Sequence, residues 1–242
     1  MSSSLPENWQ VFDNSEALAQ QCVEEILQIA DRAIQKYGAF HFITAGGSTP
    51  NRCYQLLAER HADWKNWHIY MGDERVLPFN HSERNSQALL SHWLSNNDIP
   101  VKNIHFMNTE AGAEKSAKAY ANLLASVDHF DVCLLGMGED GHTASLFPGH
   151  NGGETVQQVF SESNGSQLAP IIIENDSPKP PSQRVSLSYS AFNQCDLVIK
   201  LITGESKRNA ISAWLTEEAK LPIKQVQGKQ TKVYLSQESL PL

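Results

Sequence analysis

The sequence predicts an α/β fold: a mostly parallel sheet with helices on both faces. Apolar, β-prone runs alternate with helix-period segments along the whole chain, the pattern of repeated strand-helix units. The most apolar run, FDVCLLGMG (130–138), lacks the polar alternation of a half-exposed strand, as expected of a central strand covered on both sides.

After an extended opening, residues Asp13 to Tyr37 read as a helix, with Leu18, Cys22, Ile26, Ile29, Ala33 and Tyr37 at steps of three or four. Asp13 and Glu16 have capping-box spacing, and Gly38 supplies a stop. AFHFITA (39–45) is a strand that runs into Gly46-Gly47-Ser48-Thr49-Pro50, and Pro50 suits the first turn of a helix from Asn51 to Arg60. WHIYMGD (67–73) is the next strand, followed by a helix from Arg84 to Leu94, a short strand NIHFM (103–107) and an Ala-rich helix from Ala113 to Ser126. The stretch from Asn151 to Asn164, rich in Gly, Ser and Gln, predicts an exposed loop or short helix. LAPIIIEN (168–175), the turn SPKPPS, RVSLSYS (184–190) and DLVIKLITG (196–204) give three more strands. A helix from Glu205 to Glu218 and a last strand, KVYLS (232–236), complete the pattern. No linker or repeat interrupts it, so a single domain over residues 1–242 is expected.

Composition narrows the function. A net charge of -8 argues against nucleic acid, which needs a basic face, but leaves room for a small anion in one positive pocket. Cys22, Cys53, Cys133 and Cys195 are widely spaced and three lie in apolar runs, so buried free thiols in a reducing compartment are expected. The opening MSSSLPENWQ lacks the basic and apolar regions of a signal peptide, and no apolar run is long enough to span a bilayer. A soluble, cytoplasmic protein is the expectation.

Ligands of such sheets bind beyond the carboxyl ends of the strands. Four strand ends carry suitable residues. Gly46 and Gly47 would let backbone N–H groups face an anion, with Ser48 and Thr49 adding hydroxyls, although an ordinary capped turn reads the same way. Gly72-Asp73-Glu74-Arg75 places three charges after an apolar strand. Gly136 to His142 matches G-x-G-x-x-G, yet Pro148 follows too soon for the long helix of a dinucleotide site. What remains there is Asp140-x-His142 on a glycine-flanked turn, with a histidine fit to take a proton near neutral pH. In Thr203-Gly204-Glu205-Ser206-Lys207 the lysine opposes the macrodipole of the following helix unless an anion is bound. Arg184 is a weaker candidate for the same anion. The nine histidines show no zinc spacing and no calcium loop is present, so no metal is expected.

The segments ITAGGSTP, MGDERVLP, LLGMGEDGHTASLFPGH, RVSLSYSAFN and LITGESKRNAI, in this order, resemble the 6-phosphogluconolactonases of the oxidative pentose phosphate pathway, over residues 39 to about 215. That family shares a Rossmann-like α/β fold with the glucosamine-6-phosphate deaminases. The resemblance implies hydrolysis of 6-phospho-D-glucono-1,5-lactone to 6-phospho-D-gluconate without cofactor or metal. It makes His142 the general base, with Asp140 orienting it or holding sugar hydroxyls. Arg75 would contact substrate and Asp73 would position groups, while Gly46, Gly47, Ser48, Thr49, Arg184 and Lys207 would hold the phosphate. Asn85 matches a family Ser-Asn pair in part, because Arg84 replaces the serine. The rival reading is a deaminase/isomerase, which carries an acidic residue where Phe147 stands and Asp-Glu-Tyr where Asp73-Glu74-Arg75 stands. A non-catalytic sugar-phosphate sensor is a third reading. The expected partner is the small-molecule substrate alone, acting on a monomer or weak homodimer.

Overall fold

The computed structural model describes residues 5–150, 156–162, 169–216 and 219–241. In chain order its elements are β1 (Trp9–Phe12), α1 (Ser15–Tyr37), β2 (Phe40–Thr44), α2 (Ser48–Ala58), β3 (Trp67–Met71), β4 (Asp73–Arg75), α3 (Asn85–His92), β5 (Ile104–His105), α4 (Ala113–Leu124), β6 (Val132–Gly136), β7 (Val156–Val159), β8 (Ile171–Glu174), β9 (Arg184–Leu187), α5 (Tyr189–Phe192), β10 (Leu197–Ile202), α6 (Arg208–Trp214), α7 (Pro222–Gln225) and β11 (Gln230–Ser236). Seven strands form one sheet in the order β1-β11-β10-β6-β2-β3-β5, and every pairing in it is parallel. Strands β6 and β10 lie at its centre and are almost wholly buried, as the apolar runs require.

Helices cover both faces. Helix α1 buries Leu18, Cys22, Val23, Ile26 and Ala33 against the face that carries Phe42 and Tyr234. Of the expected apolar stripe, Ile29 is only half-buried and Tyr37 is exposed, its ring edge meeting His129. On the opposite face, Tyr120 of α4 ties its hydroxyl to the backbone of Met71 and His105, and α6 brings Trp214 against Trp9.

Four local expectations change. The cap of α1 is Asn14, whose side chain accepts from the Ala17 N–H at 2.9 Å, so Asp13 stands one residue too early. Glu16 turns outward instead and grips Arg52 of α2 through two contacts of 2.7 Å. Helix α2 starts at Ser48 rather than Asn51, so Ser48 and Thr49 belong to its first turn. The expected helix at 205–218 divides into a tight turn (Glu205–Lys207) and α6, with residues 217–218 outside the described set.

The larger change is a second sheet. Strands β4-β9-β8-β7 form an antiparallel sheet that takes LAPIIIEN and RVSLSYS out of the parallel one. Within the stretch expected to be loop or short helix, Val156–Val159 is the edge strand β7; residues 151–155 and 163–164 lie outside the described set. Gly72 is the junction between sheets. Its N–H donates to Thr44 O and its carbonyl accepts from Leu187 N, and a Cβ there would stand 2.9 Å from Thr44 O.

One core residue is chemically out of place. Lys200 lies mid-strand in β10, fully buried, with its Nζ 4.9 Å from the Trp214 ring centroid and no hydrogen-bond partner among the described residues. Burial pushes its amine down to about 7, so the unfolded chain binds more protons than the folded one between pH 7 and the ordinary value of 10.5. Stability held by this residue therefore rises with pH across that window. The unfolding free energy should gain about 2 kcal/mol from Lys200 between pH 7 and 9. Lys200→Met should be more stable at pH 7 and lack that gain, as read by urea unfolding at both pH values.

Candidate active site

The carboxyl ends of β2, β3, β6 and β10 open onto one cleft of about 260 Å³. Each expected loop reaches it. Gly46, Gly47, Ser48 and Thr49 line it after β2, Asp73 and Arg75 after β3, His142 after β6, and Lys207 after β10, while Arg184 enters from the second sheet. Asp140 does not line the cleft; it reaches it through its contact with His142 Nδ1. The sequence reading missed Lys179, which also lines it. That residue sits between two prolines in a turn, away from any strand end of the parallel sheet, where no positional signal marks it.

At the glycine loop, Gly47 takes φ 114°, a left-handed value that disfavours side chains, and no side chain among the described residues caps the start of α2. Thr49 and Thr203 share a hydroxyl contact of 2.6 Å, which locks the α2 start to the Lys207 loop. Gly46 has a separate reason to be glycine: a Cβ would lie 2.1 Å from Asn85 Oδ1.

The triplet Asp73-Glu74-Arg75 splits by strand alternation. Asp73 and Arg75 face the cleft and Glu74 points away into the protein. The Glu74 carboxylate, with no exposed surface, accepts the backbone N–H groups of Arg75, Asn85 and Ser86 at 2.8 to 2.9 Å. It also faces the Arg84 guanidinium at 3.3 Å, which donates onward to Met107 O at 2.8 Å. Arg84, the residue that replaces the family serine, is thus structural. Asn85 is placed as well: its amide donates to Asp73 Oδ1 at 2.9 Å and Asp73 O at 3.0 Å. Ser145 completes the Asp73 cradle, donating to Oδ2 at 2.7 Å. Burial raises the Asp73 carboxyl above its usual range, and the Ser145 bond and the Arg184 charge oppose that rise.

Two arginines oppose each other across β4 and β9, in direct register at Arg75 and Arg184. Like charges so placed are destabilising unless something negative joins them. Arg75 donates to Glu83 O, and its Nε is buried without a partner among the described residues. Arg184 fixes its guanidinium on the carbonyls of Lys179 (3.0 Å), Pro180 (3.3 Å) and Pro181 (3.3 Å). The chain is acidic overall, yet the cleft gathers Arg75, Lys179, Arg184 and Lys207 around one carboxylate, Asp73.

The His142 turn is held by its own backbone. Gly138 N donates to His142 O at 2.8 Å, and Thr143 Oγ1 donates to Gly136 O at 2.8 Å. Asp140 Oδ1 meets His142 Nδ1 at 2.5 Å and its N–H at 3.1 Å. A Cβ on Gly138 would overlap His142 Nδ1 at 2.0 Å, so glycine lets the imidazole lie on the chain. Burial lowers the basicity of His142 and Asp140 works against it, which leaves the ring neutral at pH 7. Asp140 itself titrates below the usual range, because its contacts with His142 outweigh its partial burial. Phe147, buried, packs its ring 4.8 Å from His142 and receives the Arg184 guanidinium at 5.8 Å on its face.

The chain as a whole is similar to known proteins. A 6-phosphogluconolactonase 3 of Arabidopsis thaliana, chloroplastic, is 31% identical, covering 88% of this chain and 67% of that protein. A human endoplasmic bifunctional protein, GDH/6PGL, is 36% identical over 80% of this chain, which spans only 24% of its length. The 6-phosphogluconolactonase of Thermotoga maritima is 31% identical over 88% of this chain and 90% of its own. Its crystal structure superposes with a TM-score of 0.81, covering 94% of this chain and 98% of that one. A monomeric glucosamine-6-phosphate deaminase, 19% identical with a TM-score of 0.76, shares the fold. The family profile described as glucosamine-6-phosphate isomerases/6-phosphogluconolactonase matches residues 13–235. The chain belongs to that family.

Proposed function

We propose that the chain is a carboxylic ester hydrolase that opens 6-phospho-D-glucono-1,5-lactone to 6-phospho-D-gluconate, the second step of the oxidative pentose phosphate pathway. One observation carries the reading: Asp140 occupies His142 Nδ1, which leaves Nε2 without a protein partner among the described residues, beside an apolar Phe147. A histidine so held takes a proton from water at Nε2 as the water attacks the lactone carbonyl. Arg75 supplies charge for the oxyanion that forms, and the protonated imidazole returns its proton to the ring oxygen as it leaves. Ser48, Thr49, the start of α2, Arg184 and Lys207 hold the phosphate and fix the lactone carbon near the water. Asp73 is held by Asn85 and Ser145 against the sugar side of the cleft. None of these steps calls for a metal or cofactor.

The deaminase reading needs a second carboxylate near His142 to open an amino-sugar ring. Phe147 fills that place, which favours the lactonase. The four cysteines are free and buried, which supports a reducing compartment, and we assign the enzyme to the cytoplasm.

With lactone generated in situ, acid release should outrun spontaneous hydrolysis; equal rates would sink the proposal. His142→Ala should lose roughly 10²–10⁴-fold in kcat at nearly unchanged KM. Lys207→Ala should do the reverse, raising KM roughly 10-fold or more.

The pH profile tests the His142–Asp140 pair. Activity needs the neutral ring, so kcat/KM should fall as pH drops through a value below the ordinary histidine range near 6.5. Asp140→Asn removes the group that raises His142 basicity. It should move that acid limb to still lower pH and cut the plateau roughly 10²-fold. A limb that stays in place would assign the titration to another group.

A further inference from the structure

We infer that Lys179 is a substrate-capturing cation, a rim residue that draws the phosphate of a phosphorylated lactone into the cleft. The inference rests on the lactonase reading and names a residue beyond those the sequence motifs mark.

Three observations lead to it. Lys179 lines the cleft yet is exposed, and its ammonium makes no hydrogen bond or ion pair among the described residues. An unpartnered lysine on a free surface is commonplace, but this one is presented by a fixed backbone. Arg184 donates to the carbonyls of Lys179, Pro180 and Pro181, and Ser177 Oγ bridges the Lys179 N–H at 3.3 Å and carbonyl at 2.9 Å. A buried guanidinium is thus committed to shaping the turn that carries Lys179.

The third observation is where that turn points. Lys179 is an electrostatic neighbour of both Lys207 and His142, making each harder to protonate. Lys207 is in turn tied to the start of α2 through the Thr49–Thr203 contact. Two ammonium groups with no ion pair among the described residues therefore line one small volume next to a helix start; Glu139 and Asp140 offset part of the charge at Lys207, and a bound anion would offset the repulsion between the two lysines. The lactone ring is neutral before attack, so the phosphate is the substrate's charge. Exposure at the rim suits capture: such charges act on association and on its salt dependence more than on chemistry.

The test compares wild type, Lys179→Ala, Lys179→Arg and Ser177→Ala on the phosphorylated lactone and on unphosphorylated glucono-1,5-lactone, at low and high salt. For Lys179→Ala, kcat/KM on the phosphorylated substrate should fall roughly 5-fold at low salt through KM, with kcat retained and a weaker salt dependence. The unphosphorylated lactone should be unaffected, and Lys179→Arg should restore most of the loss. Ser177→Ala, which loosens the turn, should shift KM in the same direction by less. An unchanged KM in Lys179→Ala, with wild type active, overturns the inference and leaves the lactonase reading standing. Equal losses on both lactones overturn it too, since they would place Lys179 at the reacting carbonyl. A wild type inactive on both lactones would instead remove the reading on which the inference rests.

Discussion

The Glu74 carboxylate anchors the reacting half of the cleft. It lies fully buried between β4 and α3, accepts three backbone N–H groups, and faces the equally buried Arg84. Such a pair gives little net stability against an apolar alternative, but removing one partner costs about 3–5 kcal/mol because the other charge is stranded. Its value here is positional. By fixing the start of α3 it sets Asn85, which sets Asp73, and by fixing the backbone of Arg75 it aims that side chain into the cleft. Three cleft residues thus depend on a carboxylate that never meets a ligand.

The parallel sheet was readable because its code is local. Apolar runs ending in glycine marked β2, β3, β6 and β10, and a parallel sheet gathers all its carboxyl ends on one side. Of the candidates that the sequence placed at those ends, all but Asp140 line the cleft, and Arg184, a strand opener, reaches it from the second sheet. The antiparallel sheet was not readable. Strand β4 is three charged residues, which carry no strand propensity, and it exists only because β9, more than a hundred residues later, pairs with it. Residues 171–174, IIIE, read as a buried strand whichever sheet they join. Long-range pairing, absent from any local window, decided between them. Lys179 was lost for the same reason, since its turn reaches the cleft only through that second sheet. The cap of α1 turned on one residue, with Asn14 and Asp13 equally suited by type and separated only by where the helix begins.

The electrostatics divide in the same way. Net charge described the surface and not the site, for a chain with eight excess negative charges concentrates four cations around one cleft. In the antiparallel sheet Arg184 stands in register with Arg75 on one side and with Glu174 on the other, and Asp73 also bears on its charge. Main-chain carbonyls hold both guanidinium groups in place, one for Arg75 and three for Arg184.

Phe147 also limits what a single substitution could do to this cleft. Its ring is buried between a histidine and an arginine. A glutamate put there alone would find both neighbours ready to bind it: the arginine would neutralise it, and the imidazole would be pulled toward its charged form. The new acid would be idle and the old base weakened. In this chain an acid at position 147 would act as such only if the arginine were displaced too, and with it the proline turn that the arginine holds.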